Sequence, residues 1–211
     1  MAEAQRPSIV SVDAPGRQDT VKRTFDVVLA AIGLPVVLPV CVAAAIAIRI
    51  ETEGSPVFIQ ERVGQNKEPI RVMKLRTMHH ATGDLPSHEV SEARVTRVGK
   101  FLRRVKVDEL PQLWNVLRGD MSFVGPRPCL PSQHEVIEER DARGVLALRP
   151  GITGPSQLAG IDMSTPIELA ESDARYIGSF SPAVDFGYVL QTAVGRGSGD
   201  AVVRTPSDVS T

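Results

Sequence analysis

The run Val27-Val-Leu-Ala-Ala-Ile-Gly-Leu-Pro-Val-Val-Leu-Pro-Val-Cys-Val-Ala-Ala-Ala-Ile-Ala-Ile48 holds 22 consecutive residues without a charge. At about 1.5 Å per residue, a helix of this length matches a hydrocarbon core of roughly 30 Å. Gly33, Pro35 and Pro39 sit in its middle. Each proline removes an amide donor and presses on the carbonyl four residues earlier, which costs about 3 kcal/mol in an uninterrupted helix. Lys22 and Arg23 precede the run, and Arg49 and Arg62 follow it. Positive flanks stay on the cytoplasmic side. The sequence therefore predicts a re-entrant membrane hairpin over residues 21–50, broken at Pro35 and Pro39, that enters and leaves through one leaflet. A kinked single span and a buried core helix are the alternatives.

A cleaved leader does not fit, although Ala43-Ala44-Ala45 resembles a cleavage site. The residues before the apolar run mix Arg6, Arg17, Lys22 and Arg23 with Glu3, Asp13, Asp19 and Asp26, and the run exceeds the usual signal core. Residues 1–20, rich in Pro, Ser, Gly and charge, read as a disordered cytoplasmic tail. With 42% hydrophobic and 23% charged residues, the 211-residue chain is no disordered polymer and is long enough for one packed domain. Its 24 basic and 25 acidic residues leave a net charge of −1, so any electrostatic function comes from local clustering. Cys41 and Cys129 are too few for a disulfide framework or a thiolate metal site. An aromatic content of 4% weighs against base-stacking surfaces.

After the apolar run, Ser55–Gln60 and Ile70–Met78 read as two short strands joined by the turn-rich Gly64–Pro69. His79 to Ser91 reads as a surface loop, in which His79, His80 and His88 are solvated residues rather than metal ligands. Helical spacing begins at Arg94, where Val95, Val98, Phe101, Leu102 and Val105 share a face beside a basic stripe. A second helix is predicted over Asp108–Leu117, with Asp108 as its N-cap. Phe123–Pro128 and Arg149–Pro155 are glycine-proline loops, each carrying an arginine. Further helices are expected at Ser132–Ala147, with Arg140 on the solvated face, at Thr165–Ile177 and at Pro182–Val194. The fold class is α+β: a membrane hairpin, then a small, mostly helical domain over residues 51–194 with a short β-hairpin, then a tail over 195–211.

Between Arg94 and Arg118 stand seven basic residues, Lys106 among them, against only Asp108 and Glu109. A solvated helix face and a surface for phosphates or anionic lipid both explain such a run. Adjacent carboxylates at a helix start are commonly caps. Among arginines that bind phosphate bidentately, however, a carboxylate can also hold Mg²⁺ or attack phosphorus.

Lys22-Arg-x-Phe-Asp26, Gln60-x-Arg-x-Gly64, Lys74-x-Arg-Thr-Met78, Asp108-Glu-Leu-x-Gln-Leu-x-Asn-Val-Leu117, Gly119-Asp-Met-Ser-Phe-Val-Gly-Pro-Arg-Pro128 and Arg149-Pro-Gly-Ile-Thr-Gly154 together resemble the monotopic phosphoglycosyl transferases, the bacterial sugar transferases. The likeness runs from Val21 to Val194. It implies transfer of a sugar phosphate from a nucleotide sugar, usually UDP-linked, to polyprenol phosphate at the cytoplasmic face of the inner membrane, with downstream glycosyltransferases as further partners. It implies Asp108 as nucleophile and Glu109 as its assistant, both serving as Mg²⁺ ligands. It also implies phosphate contacts from Arg62, Lys74, Arg76, Arg104, Arg127 and Arg149. Leu38-Pro39 stands where the family has Ser-Pro, and Pro155 and Ile161 stand where it has an aromatic residue and an arginine.

Two other classes compete. A non-catalytic membrane adaptor would use the hairpin and basic stripe but needs no Asp-Glu pair. A nucleic-acid binder is disfavoured by the apolar segment and the scarcity of aromatics.

The hairpin reading predicts that cysteines introduced at Arg17 and Glu53, with Cys41 and Cys129 replaced, are equally protected from an impermeant thiol reagent in intact cells. Labelling of one from outside while the other stays protected would mean a span.

Overall fold

The computed structural model describes residues 17–79 and 94–196. The expected loop beyond His79 and both tails lie outside them.

Helix α1 (Arg17–Glu51) runs unbroken through Pro35 and Pro39, which corrects the helix–break–helix expectation. Ala30, Ala44 and Ile48 are buried along one stripe of it, and Leu29 and Val37 pack beside them. The two prolines, four residues apart, lie on the exposed side. A proline ring opens the helix on its own face, so the axis bends toward the opposite face, here the one packed on the domain. The prolines open no loop in α1. Val28, Ile32, Val36, Leu38, Val42, Ile46 and Ile50 cover the outward side, which excludes a buried core helix.

Both ends of α1 are tied to the same body. Near its start, Lys22 Nζ bonds Asp185 Oδ2 at 2.6 Å. Arg23 donates to the carbonyls of Val116 and Leu117 in the last turn of α3 (Gln112–Arg118), where a cation meets the helix C-terminus. Asp26 Oδ1 accepts from Ser122 Oγ at 3.0 Å and from the Phe123 amide at 3.1 Å. At the far end, Glu51 accepts the amides of Arg97 and Val98 at 2.8 and 3.0 Å, the open donors of α2 (Arg97–Arg104).

Strands β1 (Val57–Val63) and β2 (Pro69–Leu75) form the expected antiparallel hairpin, with Phe58 opposite Lys74 and Arg62 opposite Ile70. Paired residues share a face, so Gln60, Arg62, Val72 and Lys74 all point toward the domain. Val72 joins Ala30, Leu113, Val116, Met121, Phe123, Val124 and Tyr176 in the main core.

The two glycine-proline segments are not irregular loops. They contain β3 (Ser122–Val124) and β4 (Gly151–Thr153), paired in parallel. Their crossing leaves no room for side chains. A Cβ on Gly151 would lie 2.1 Å from the Gly125 amide, one on Gly125 2.3 Å from the Arg149 carbonyl, and one on Gly154 2.4 Å from the Gly125 carbonyl.

Helices α4 (His134–Ala142), α5 (Pro155–Ala159), α6 (Pro166–Ala174) and α7 (Pro182–Ala193) complete the domain. The first is shorter than expected, and α5 was not anticipated. Arg140 is 2% exposed, not solvated, and its guanidinium bonds Asp173 at 2.7 and 3.0 Å. A buried carboxylate on α6 outcompetes water for it because Ser156 also donates to that carboxylate, at 2.6 Å.

Gly151→Ala should cost about 3 kcal/mol or more, because its new carbon meets backbone that cannot move aside. Gly144→Ala, where φ is +71° and no atom lies within 4 Å, should cost only about 1 kcal/mol. Thermal midpoints of the two variants check the ranking, and equal midpoints would mean that the crossing can relax.

Candidate active site

Asp108 and Glu109 lie in a tight 3-10 turn, Val107–Glu109, rather than at the head of a helix from Asp108 to Leu117. The helix begins only at Gln112, after Pro111, so Asp108 is not its N-cap. Lys106 enters the turn at φ 55° and ψ 23°, a left-handed conformation that costs a non-glycine residue roughly 1–3 kcal/mol. The turn sinks the Asp108 side chain to 6% exposure and directs Glu109 toward two cations.

Those cations come from different elements. Arg127, just beyond β3, places Nη2 2.6 Å from Glu109 Oε1, and Lys74 of β2 places Nζ 3.6 Å from the same oxygen. The Arg127 backbone is held in turn by Arg140, which donates to its carbonyl at 2.7 Å. Lys106 lies close enough to feel both groups. Burial pushes its ammonium below the usual lysine value, Glu109 opposes that, and Arg127 adds to it.

Arg127 lies between two small hollows that open to solvent. One is lined by Arg62, Lys74, Gln112 and Pro128 and the other by Lys106, Glu109, Thr153, Gln157 and Thr192. Arg62 is fixed by Gln60 Oε1 and by the Pro128 carbonyl at 3.2 Å, so its fork is oriented before any ligand arrives.

The structure therefore brings Lys74 and Arg127 to Glu109, with Asp108 beside Glu109 in the turn and Arg62 lining a hollow shared with Lys74 and Arg127. It places three other expected residues elsewhere. Arg76 donates to the Thr52 hydroxyl at 2.7 Å at the end of α1, where burial and then the charge of Arg49 push its guanidinium below the usual value. Arg104 is exposed on α2, and Arg149 lines neither cavity. Pro155 opens α5, while Ile161 packs beside Cys129, Val136 and Leu169 in a separate apolar cluster. Sequence reasoning missed Gln60, Gln157 and Arg140 as site-building residues. The signal for Gln60 was its spacing of two from Arg62, which puts both on one strand face.

Among the described residues no three His, Cys, Asp or Glu side chains gather as a metal centre. Mg²⁺ needs only one or two carboxylates when substrate phosphates supply further oxygens. The adjacent Asp108 and Glu109 fit that requirement.

A family model described as bacterial sugar transferase matches residues 17–196. The chain is 40% identical over 183 residues to UDP-glucose:undecaprenyl-phosphate glucose-1-phosphate transferase of Caulobacter vibrioides, covering 82% of this chain and 68% of that protein. It is 37% identical to undecaprenyl-phosphate glucose phosphotransferase of Komagataeibacter xylinus, covering 81% of this chain but 35% of that protein. It is 36% identical to exopolysaccharide production protein PSS of Rhizobium leguminosarum bv. phaseoli, covering 84% of this chain and 97% of that protein.

A cluster built around a guanidinium fork should bind inorganic pyrophosphate. Arg127→Lys keeps the charge but not the planar fork, so the affinity measured by calorimetry should fall about tenfold. The thermal midpoint should hold, since Arg140 grips only the Arg127 backbone. Unchanged affinity would remove Arg127 from phosphate recognition.

Proposed function

The chain belongs to the bacterial sugar transferase family, and from that we propose that it moves a sugar 1-phosphate from a UDP-sugar to polyprenol phosphate at the cytoplasmic face of the inner membrane. The observation that carries this reading is the convergence of Lys74 and Arg127, from separate elements, on Glu109, the neighbour of Asp108 in one tight turn. A membrane adaptor built on α1 and the basic face of α2 needs no such convergence.

The reaction runs in two displacements. A carboxylate oxygen of Asp108 attacks the phosphorus bearing the sugar, the bond to the bridging oxygen breaks, and UMP leaves. A phosphate oxygen of polyprenol phosphate then attacks the aspartyl phosphosugar. The acyl phosphate bond breaks, Asp108 returns as carboxylate, and the product is a polyprenyl diphosphate sugar for downstream glycosyltransferases. Splitting the transfer in this way replaces one difficult encounter of two anions with two smaller steps. Arg127, Lys74 and Arg62 offset charge as it develops on the phosphoryl oxygens, and their fixed partners mean little reorganisation at the moment of reaction. Glu109 receives the proton of the acceptor phosphate. Asp108 and Glu109 would hold Mg²⁺, which when bound would supply further charge neutralisation.

The acceptor arrives in the membrane, and α1 brings the site to it. Both ends of α1 are tied to one body, which supports a helix whose apolar outward side lies in the cytoplasmic leaflet. The anchors support this monotopic reading, which needs no break at the prolines.

Asp108→Asn should reduce UMP release at least about a thousandfold, the scale expected when a covalent nucleophile is lost. Wild-type protein given donor without acceptor should gain the mass of one phosphosugar on the peptide containing Asp108. A fully active Asp108→Asn enzyme would exclude the covalent route.

A further inference from the structure

Lys106 holds a backbone conformation that its residue type resists. Its φ of 55° and ψ of 23° lie in the left-handed region, where glycine sits without strain and asparagine with little. A longer side chain costs energy there, and strain of this kind gathers at sites where it serves the chemistry. What the lysine supplies in return is its ammonium. It lines the hollow that Glu109 and Arg127 share, and Arg196 brings a third cation to the same lining. Its Nζ donates to the Arg196 carbonyl at 2.8 Å, which fixes the end of an otherwise flexible side chain. Three cations against the one carboxylate of Glu109 leave that lining with surplus positive charge. Burial already disfavours the charged ammonium, and the neighbouring Arg127 adds to this against the pull of Glu109. An anion is the ligand that relieves both.

Resting on the transferase reading, the anion has a source. The donor carries two phosphates, and Arg127 lies between two hollows, of which Arg62 and Lys74 line one and Lys106 the other. We propose that Lys106 is a further phosphate-binding residue, whose ammonium contacts a phosphate oxygen of the donor from the hollow that Arg62 and Lys74 do not line. The diphosphate then straddles Arg127, with a cation waiting in each hollow. The left-handed step makes this possible. It separates the end of α2 at Arg104, which is exposed, from the turn that holds Asp108 and Glu109, and so the ammonium of Lys106 joins the cluster while the guanidinium of Arg104 does not. The two kinds of cation divide the work. Arg127 offers a planar fork of fixed direction, and Lys106 offers a point charge that follows an oxygen as its bonding changes.

The test titrates the full-length protein with inorganic pyrophosphate by calorimetry. Lys106→Gly removes the ammonium and the strain together, so its thermal midpoint should hold or rise while its affinity falls about tenfold, the scale of one charge-assisted contact. Lys106→Gln keeps a donor for the Arg196 carbonyl but no charge, and its affinity should fall as far. Should Lys106→Gly fail to fold, Lys106→Gln decides by itself. Wild-type affinity in Lys106→Gln overturns the inference, because the contact with Arg196 and not the charge would then be what the lysine provides. A lowered midpoint with unchanged affinity in Lys106→Gly overturns it too, since the lysine would then serve the fold alone. With a UDP-sugar and polyprenol phosphate, both variants should lose about tenfold in kcat/KM for UMP release. Wild-type protein that releases no UMP from any UDP-sugar, while the pyrophosphate losses hold, removes the transferase reading and leaves Lys106 as an anion ligand. UMP release at full kcat/KM in both variants removes this inference alone.

Discussion

Two backbones cross between Gly125 and Gly151 so closely that no side chain fits between them, and most of the site hangs on that crossing. On one side the chain continues to Arg127, and on the other through Thr153 to α5 and Gln157. Parallel strands of three residues each contribute few hydrogen bonds. They hold because the Ser122 amide reaches the Pro150 carbonyl and the Gly125 amide the Thr153 carbonyl, both at 2.9 Å, inside a core where water offers no alternative. The separation between the Arg127 and Gln157 backbones is fixed by this pairing rather than by flexible side chains.

Around this crossing stand ion pairs that join distant parts of the chain. Arg140 with Asp173 locks α4 to α6, and Lys22 with Asp185 locks α1 to α7. Tyr176 donates to Asp185 at 2.6 Å and accepts from Lys22 at 2.9 Å, and the Phe180 ring lies 5.0 Å from the same ammonium. Burial, followed by its bond to Asp185, pushes the Tyr176 phenol far above its ordinary value, so it stays a donor at any physiological pH. Buried pairs of this kind add little net stability over an apolar alternative, but breaking one leaves a stranded charge and costs about 3–5 kcal/mol. They favour one arrangement of the helices over its near alternatives.

The sequence displayed elements whose pattern is local. The alternation in β1 and β2, the apolar spacing of α2 and the proline-led starts of α6 and α7 are all legible within a dozen residues. What it hid depends on partners far along the chain. Arg140 looks solvated because its neighbours Glu138 and Glu139 are acidic and polar, and only the fold brings Asp173 beneath it. Pro35 and Pro39 look like a break because propensity describes an isolated helix, whereas one with a packed inner stripe can bend and continue. The site divides along the same line. Asp108, Glu109 and Arg127 belong to a dense motif, but Lys106 becomes notable only when its backbone is seen to be left-handed. Arg76 and Arg104 lie apart from the cluster, since a shared motif or a basic stripe does not ensure a shared cavity.

The anchors of α1 also set an order of events during synthesis. Its partners lie 93 residues ahead at Val116, 97 at Phe123 and 163 at Asp185. At ribosomal speeds of roughly 5–20 residues per second, the last of these is made on the order of 10–30 s after the helix itself. For that interval the nascent chain carries a long apolar helix with nothing of its own to cover it. Some other surface, lipid or a chaperone, must take that role first, and the domain then assembles against the helix.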